Sequence, residues 1–278
     1  MSSLGAMAKN DAARWRVEPG TKVDLAKIDT RSTEGAPGDK AKTEAASEEL
    51  GAEMQGLQER LYAEGARSLL VVLQAIDAGG KDGTIKNVFR GLNPASCRVV
   101  SFKVPSEEER SHDFLWRVHA KAPAKGEVVV FNRSHYEDVL VVRVHSLVPE
   151  DVWRPRYDLI NDFEANLAAA GTRIVKLYLH ISKGEQAERF QARLDDPTKH
   201  WKFRKGDLAE RARWDDYMAA FQEAVSRTST DAAPWYVVPA DRKWYRNWAV
   251  NRIIVETLAG MDPQYPPPEE DLTGVVVT

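Results

Sequence analysis

The chain has one cysteine in 278 residues, Cys97. An intrachain disulfide framework and a multi-thiolate metal site are both excluded by that count. It has no run of about 18 apolar residues and no apolar N-terminal h-region, which argues against a membrane span and against secretion. A cytoplasmic location is the default expectation. The chain also lacks a charge bias: 39 Lys and Arg against 42 Asp and Glu leave a net charge of −3. Nucleic acid is therefore not an expected partner, and any polyanion must be met by a local basic groove. No repeat at a solenoid period is visible. What is present is ordinary for a soluble globular protein, 43 % hydrophobic and 29 % charged residues. The length suffices for one α/β core.

The most informative segment runs from Leu69 to Thr84. An apolar, β-branched run ends in Asp77, then Gly79, Gly80 and Lys81, and a helical pattern opens with Asp82, Gly83 and Thr84. Backbone N–H groups in such a turn point at a phosphate, and the helix N-terminus adds positive potential there. The strict phosphate loop G-x-x-x-x-G-K-[ST] is not met. Ala75 stands where its first glycine belongs and Asp82 where its hydroxyl belongs. Magnesium, with manganese as the alternative ion, must then be bound by carboxylates, and Asp77 and Asp138 are the candidates. Arg133 directly follows an apolar run and can grip phosphate in a bidentate fork. Each has a blander reading: a turn residue for Asp77, a surface acid for Asp138, an internal salt bridge for Arg133. His135 is expected to be packed rather than a general base, because a phosphate acceptor is already largely ionised near neutrality.

Residues 1–45 read as a partly flexible N-terminal arm, with 30–42 as linker and Trp15, Val17, Val23, Leu25 and Ile28 as anchors. A helix from Glu44 places Leu50, Met54, Leu57, Leu61 and Tyr62 on one face and stops at Gly65. Strands are expected at 68–74, 98–104, 126–131, 172–182 and 233–239. Helices are expected from 82 through Leu92, from Ser106 through Val118, and over 157–170, 184–194 and 243–258. Residues 135–147 fit helix or strand equally. The alternation predicts an α/β fold, a parallel sheet flanked by helices on both faces. In such sheets ligands bind beyond the C-terminal strand ends, where 79–81 and 132–133 both fall. The main domain is placed at 46–262 and a Pro-rich tail at 263–278. A basic run, Lys199, His200, Trp201, Lys202, Phe203, Arg204 and Lys205, with Arg189 and Arg193 upstream, is a lid, a nucleic-acid contact or plain surface by composition alone.

Four stretches in order carry a family resemblance. They are Asp77-Ala-Gly-Gly-Lys-Asp-Gly83, Phe131-Asn-Arg-Ser-His-Tyr-Glu-Asp-Val-Leu140, Lys199-His-Trp-Lys-Phe203 with Trp214-Asp-Asp-Tyr217, and Ala233-Pro-Trp235 with Asp241-Arg-Lys243. Together they resemble the family-2 polyphosphate kinases, from about Trp15 to Leu258. The resemblance implies a P-loop-kinase-like core with a helical lid at about 195–227. It implies transfer of the terminal phosphoryl group between inorganic polyphosphate and nucleotides, with magnesium, by a homodimer or homotetramer. Carried over, Asp77 is the metal-organising aspartate, Lys81 the phosphate-binding lysine and Arg133 the phosphate-gripping arginine. Gly79, Gly80, Asp82, Gly83 and Thr84 complete the loop, and Arg193, Lys202 and Arg204 meet the phosphate chain from the lid. Many members have Asp where this chain has Asn132, which puts its metal role in doubt. The Asn-Arg-Ser-His-Tyr-Glu-Asp form resembles the class III subgroup, whose members take AMP as well as ADP. Asp138 is then expected to supply the missing metal carboxylate and Glu137 to face the nucleotide. An ATP-dependent kinase of the same fold and a non-catalytic polyphosphate or nucleotide binder remain as alternatives.

Overall fold

The strand β2 (Ser68–Gln74) organises the fold. All seven residues are buried, because a central parallel strand is covered on both faces; its middle, Leu69–Leu73, is apolar throughout, and the buried ends Ser68 and Gln74 are hydrogen-bonded to Thr172 and Ser134. The structure, a computed structural model, describes residues 11–277. β2 pairs in parallel with β4 (Val128–Asn132) and β5 (Thr172–His180). β3 (Cys97–Ser101) extends the sheet beyond β4, and β6 (Trp235–Pro239) extends it beyond β5, both parallel. A two-residue β1 (Arg16–Val17) adds antiparallel to β6, giving the order β1-β6-β5-β2-β4-β3. The register aligns Leu73 of β2 with Asn132 of β4, so the ends of these two strands stand side by side.

The helices are α1 (Lys40–Glu64), α2 (Lys81–Val88), α3 (Glu107–Ser111), α4 (Trp116–His119), α5 (Val141–Val144), α6 (Glu150–Trp153), α7 (Arg156–Ala169), α8 (Lys183–Leu194), α9 (Gly206–Ala212), α10 (Trp214–Thr228) and α11 (Lys243–Met261). α11 packs on α1, α2, β5 and β6, while α7 packs on β5 with α10 beside it. None among the described residues is long and apolar enough to cross a membrane. α1 starts where the Asp39 carboxylate accepts from the Lys42 amide and stops at Gly65 in the left-handed conformation. Leu50, Met54, Leu57 and Leu61 form its buried stripe, each contributing about 1.5–3 kcal/mol by burial.

Several expectations need correction. Tyr62 is 54 % exposed, one position off that stripe. α2 ends at Val88, and Phe89 and Leu92 are buried from the turn beyond it. β3 stops at Ser101, where its partner β4 reaches Asn132, so Val104 is left 85 % exposed. The helix capped by Ser106, a full capping box with Glu109, ends at Ser111. Phe114 lies in a turn before α4 rather than on one long helix. Residues 135–147 form a 3-10 turn (His135–Asp138) and the short α5, not a strand. Nor is 30–42 free of contacts. The Thr30 hydroxyl donates to Asp241 at 2.8 Å, Tyr245 donates to the Glu34 carbonyl at 2.6 Å, and α1 begins at Lys40. Trp15 is 5 % exposed and packs edge-on against Tyr245 and Trp248. α10 carries Trp214, Tyr217, Ala220 and Phe221 into the core, so the segment standing clear of the body is about 195–213.

Candidate active site

The loop between β2 and α2 is built by steric necessity. A Cβ at Gly79 would lie 2.5 Å from the Ala75 Cβ, and Gly80 caps α2 at φ 105°. Ala78 (φ 60°) and Arg133 (φ 63°) hold the left-handed conformation without being glycine. Such strain persists only where surrounding contacts fix it, and it clusters at functional sites. For Ala78 the fixing contacts come from α8. Gln186 donates to the Asp77 carbonyl at 2.9 Å and Arg189 to the Ala78 carbonyl at 3.0 Å.

Arg133 bridges the two strand ends. Its Nη2 meets Asp77 Oδ1 at 2.8 Å and its Nη1 meets Glu137 Oε2 at 3.0 Å. Glu137 first, then burial in opposition and Asp77 in support, leave its pKa raised. Asn132 donates to Asp82 Oδ1 at 3.1 Å and so ties the β4 tip to the first turn of α2. Lys81 turns back into the loop and donates to the Ala75 carbonyl at 2.7 Å. Burial and the Arg133 charge push its pKa down to about 8, against the pull of Asp77, Glu137 and Asp82.

These groups open on a cleft of about 880 Å³. Lys81, Arg133, Arg189, Arg193, Lys199, Lys202, Arg204 and Lys243 line it, with Asp77, Asp82, Glu185, Glu188 and Asp207 interspersed. Its roof is the 195–213 segment. Phe190 of α8 anchors that segment by an edge contact with Phe203, and Arg193 braces its turn by donating to the Lys202 carbonyl at 3.0 Å. Trp201 is 76 % exposed at its tip, with the Lys202 ammonium 4.8 Å from the ring. At its far end Glu210 is held by His145 at 2.9 Å and by the Tyr217 hydroxyl at 2.7 Å.

A match to the family Polyphosphate kinase 2 (PPK2) covers residues 38–266. The chain belongs to the polyphosphate kinase 2 family. It is 54 % identical, over 95 % of its length and 99 % of the relative's, to an AMP/ADP-polyphosphate phosphotransferase of Meiothermus ruber. It is 44 % identical, over 91 % of both chains, to an ADP-polyphosphate phosphotransferase of Rhodopseudomonas palustris. The crystal structure of polyphosphate kinase 2 from Arthrobacter aurescens TC1 superposes with a TM-score of 0.91 at 46 % identity, covering 95 % of this chain and 94 % of that one.

In this polyphosphate kinase 2 chain the cleft gathers Asp77, Gly79, Gly80, Lys81, Asp82, Gly83, Asn132, Arg133, Arg193, Lys202 and Arg204. It does not gather Thr84, Asp138 or Glu137, the last lining a smaller pocket with Asp77 and Arg133. Thr84 is fully buried, because α2 already begins at Lys81 and position 84 turns inward beside Val88. The Asp138 carboxylate faces away and accepts from Arg156 at 3.1 Å. Burial raises its pKa against the pull of Arg156 and Arg117. Glu137, one residue earlier on the 3-10 turn, is the carboxylate that reaches Arg133. His135 is fully buried, 3.1 Å from Glu164, and offers no proton acceptor to the cleft. Glu164 also pairs with the buried Lys176 at 2.5 Å. Lys243 stood in the sequence only as part of the resembling stretch Asp241-Arg-Lys243, with no site role, yet it lines the cleft. Arg189 stood only as a neighbour of the basic run, although its spacing of four from Arg193 on α8 marks one helix face.

Among the described residues no three His, Cys, Asp or Glu side chains form a metal cage. Asp77 and Asp82 are the carboxylates that line the cleft beside the glycine loop, and one or two carboxylates completed by substrate phosphates and water suffice for a small divalent ion.

Proposed function

We propose that this chain transfers the terminal phosphoryl group of inorganic polyphosphate to AMP or ADP. Family membership and the near full-length relatives support the reaction class. One observation carries the assignment of the site: the Arg133–Asp77 contact at 2.8 Å joins two strand ends beside a glycine loop, under a cationic cleft.

In this reading polyphosphate lies along the cleft beneath the 195–213 segment, where Arg193, Lys202 and Arg204 neutralise successive phosphates. The loop amides and Lys81 hold the terminal phosphate. The acceptor phosphate enters beside Arg133 and Glu137 and attacks in line. Phosphoryl transfer asks for positioning and charge neutralisation rather than covalent help. Its own oxygen is ionised above about pH 6, so no general base is required. Asp77 would hold a divalent metal, magnesium or manganese, which would supply charge neutralisation to the transferring phosphate. Asn132 brings no carboxylate of its own and instead anchors that of Asp82. Closure of the roof excludes water and so protects the phosphoryl group from hydrolysis.

The test is incubation of AMP, and separately ADP, with polyphosphate and magnesium, with chromatography of the products. ADP and ATP should appear, and replacing polyphosphate with ATP as donor should give nothing comparable. Turnover from ATP alone, or tight binding with no turnover, contradicts the proposal.

A further inference from the structure

Arg246 lies near the start of α11 and is 2 % exposed. Its Nε and Nη2 donate to Oδ1 of the adjacent Asn247 at 3.1 and 2.8 Å. Among the described residues no carboxylate pairs with it. Glu185, whose charge acts on it, is bound to Arg189 at 2.8 Å instead. A buried guanidinium is normally paired, because an uncompensated charge in the interior is costly. Burial first, and the Arg189 charge second, lower its pKa from the usual arginine value.

The guanidinium lies against the phosphate loop from behind. A Cβ at Gly80 would stand 2.1 Å from Arg246 Nη1 and 3.2 Å from Arg189 Nη1, and one at Gly83 would stand 3.4 Å from Arg246 Nη2. Gly80 and Gly83 both line the cleft. The buried charge thus lies against the backbone of two glycines that line the cleft, a few ångströms from where a loop-bound phosphate would sit, and at that range burial strengthens its action.

We propose that Arg246 is a positioning residue for the polyphosphate donor, its charge completed by the phosphate held in the loop rather than by any group of the protein. This rests on assigning that loop to the donor. The residue costs stability in the ligand-free chain and returns it as donor affinity. Arg189, which binds the Ala78 and Ala240 carbonyls at 3.0 and 2.6 Å, fixes the loop against it.

The experiment compares Arg246→Met, Arg246→Gln and Arg246→Lys with the parent enzyme by thermal melting and steady-state kinetics, with polyphosphate, with AMP and without ligand. Arg246→Gln keeps a donor for Asn247 should the Met variant fold poorly. The neutral variants should melt at or above the parent temperature without ligand and lose most of the gain that polyphosphate gives. Their KM for polyphosphate should rise at least about tenfold, the scale of one charge removed from a few ångströms. KM for AMP should stay unchanged, and Arg246→Lys should recover part of the loss. Neutral variants that melt lower without ligand yet keep the full polyphosphate gain would reduce Arg246 to packing and overturn the inference. Lys81→Ala is run beside them. If it loses turnover while the Arg246 variants keep the parent KM, only the Arg246 inference fails. If it keeps turnover, the loop assignment beneath it fails.

Discussion

Raising the pH above 8 should release the phosphate donor before the fold responds. Lys81 is the group concerned. Burial, then the Arg133 charge, bring its pKa down to about 8, while Asp77, Glu137 and Asp82 resist. The ammonium is thus complete near pH 7 and reduced to about one tenth by pH 9. kcat/KM for polyphosphate should therefore fall about tenfold between the neutral plateau and pH 9. A bound polyanion favours the ammonium, so the alkaline limb of kcat should lie at higher pH. Stability moves the other way. Between about 8 and the lysine's ordinary value the unfolded chain holds more protons than the folded one, so the contribution of this residue to stability improves as pH rises through that window. The assay is initial rate against polyphosphate concentration at saturating AMP, from about pH 6.5 to 9.5 at constant ionic strength. The acceptor phosphate, ionised above about pH 6, adds no limb there. Lys81→Arg, charged throughout, should lose the limb even if its rate is low. A flat profile to pH 9.5, or the same limb in Lys81→Arg, would refute the reasoning.

Glu137→Gln should cut kcat far more than Asp138→Asn, because Glu137 meets Arg133 and Asp138 meets Arg156; equal effects in steady-state rates would contradict this placement. Lys176→Met should destabilise the chain by about 3–5 kcal/mol in urea melts by stranding Glu164, and the double change Lys176→Met with Glu164→Gln should recover much of that. Additive losses would show that the buried pair is not one unit. Salt should weaken polyphosphate binding more steeply than AMP binding, since a long polyanion releases more counterions from the cleft; parallel slopes in KM against ionic strength would argue against a polyphosphate groove.

Strand β2 and the glycine loop that follows it were legible because both signals are local. The five apolar residues Leu69–Leu73 read as a buried strand, and Asp-Ala-Gly-Gly-Lys reads as a tight turn after it. Arg133 was legible for the same reason, as the charged residue next to an apolar run. Asp138 and Thr84 do not face the cleft, and sequence spacing alone leaves facing open. On the short 3-10 turn after Ser134, successive carboxylates point in different directions, and Glu137 rather than Asp138 returns to Arg133. In α2 a start at Lys81 sends residue 84 inward. The long helix expected after Ser106 failed because a capping box marks where a helix begins and says nothing of how soon packing ends it.

The order of elements, the parallel sheet and the chemical types gathered for phosphate were set by residue pattern, since burial periodicity and turn sterics act over a few neighbours. Which carboxylate faces Arg133, the seating of Trp15 on α11, and the placing of Arg189 and Arg246 behind Gly80 were decided only when strands and helices far apart in the chain packed together. Contacts across more than a hundred residues, such as Arg189 to Ala78, leave no mark in local sequence because either partner alone reads as ordinary surface.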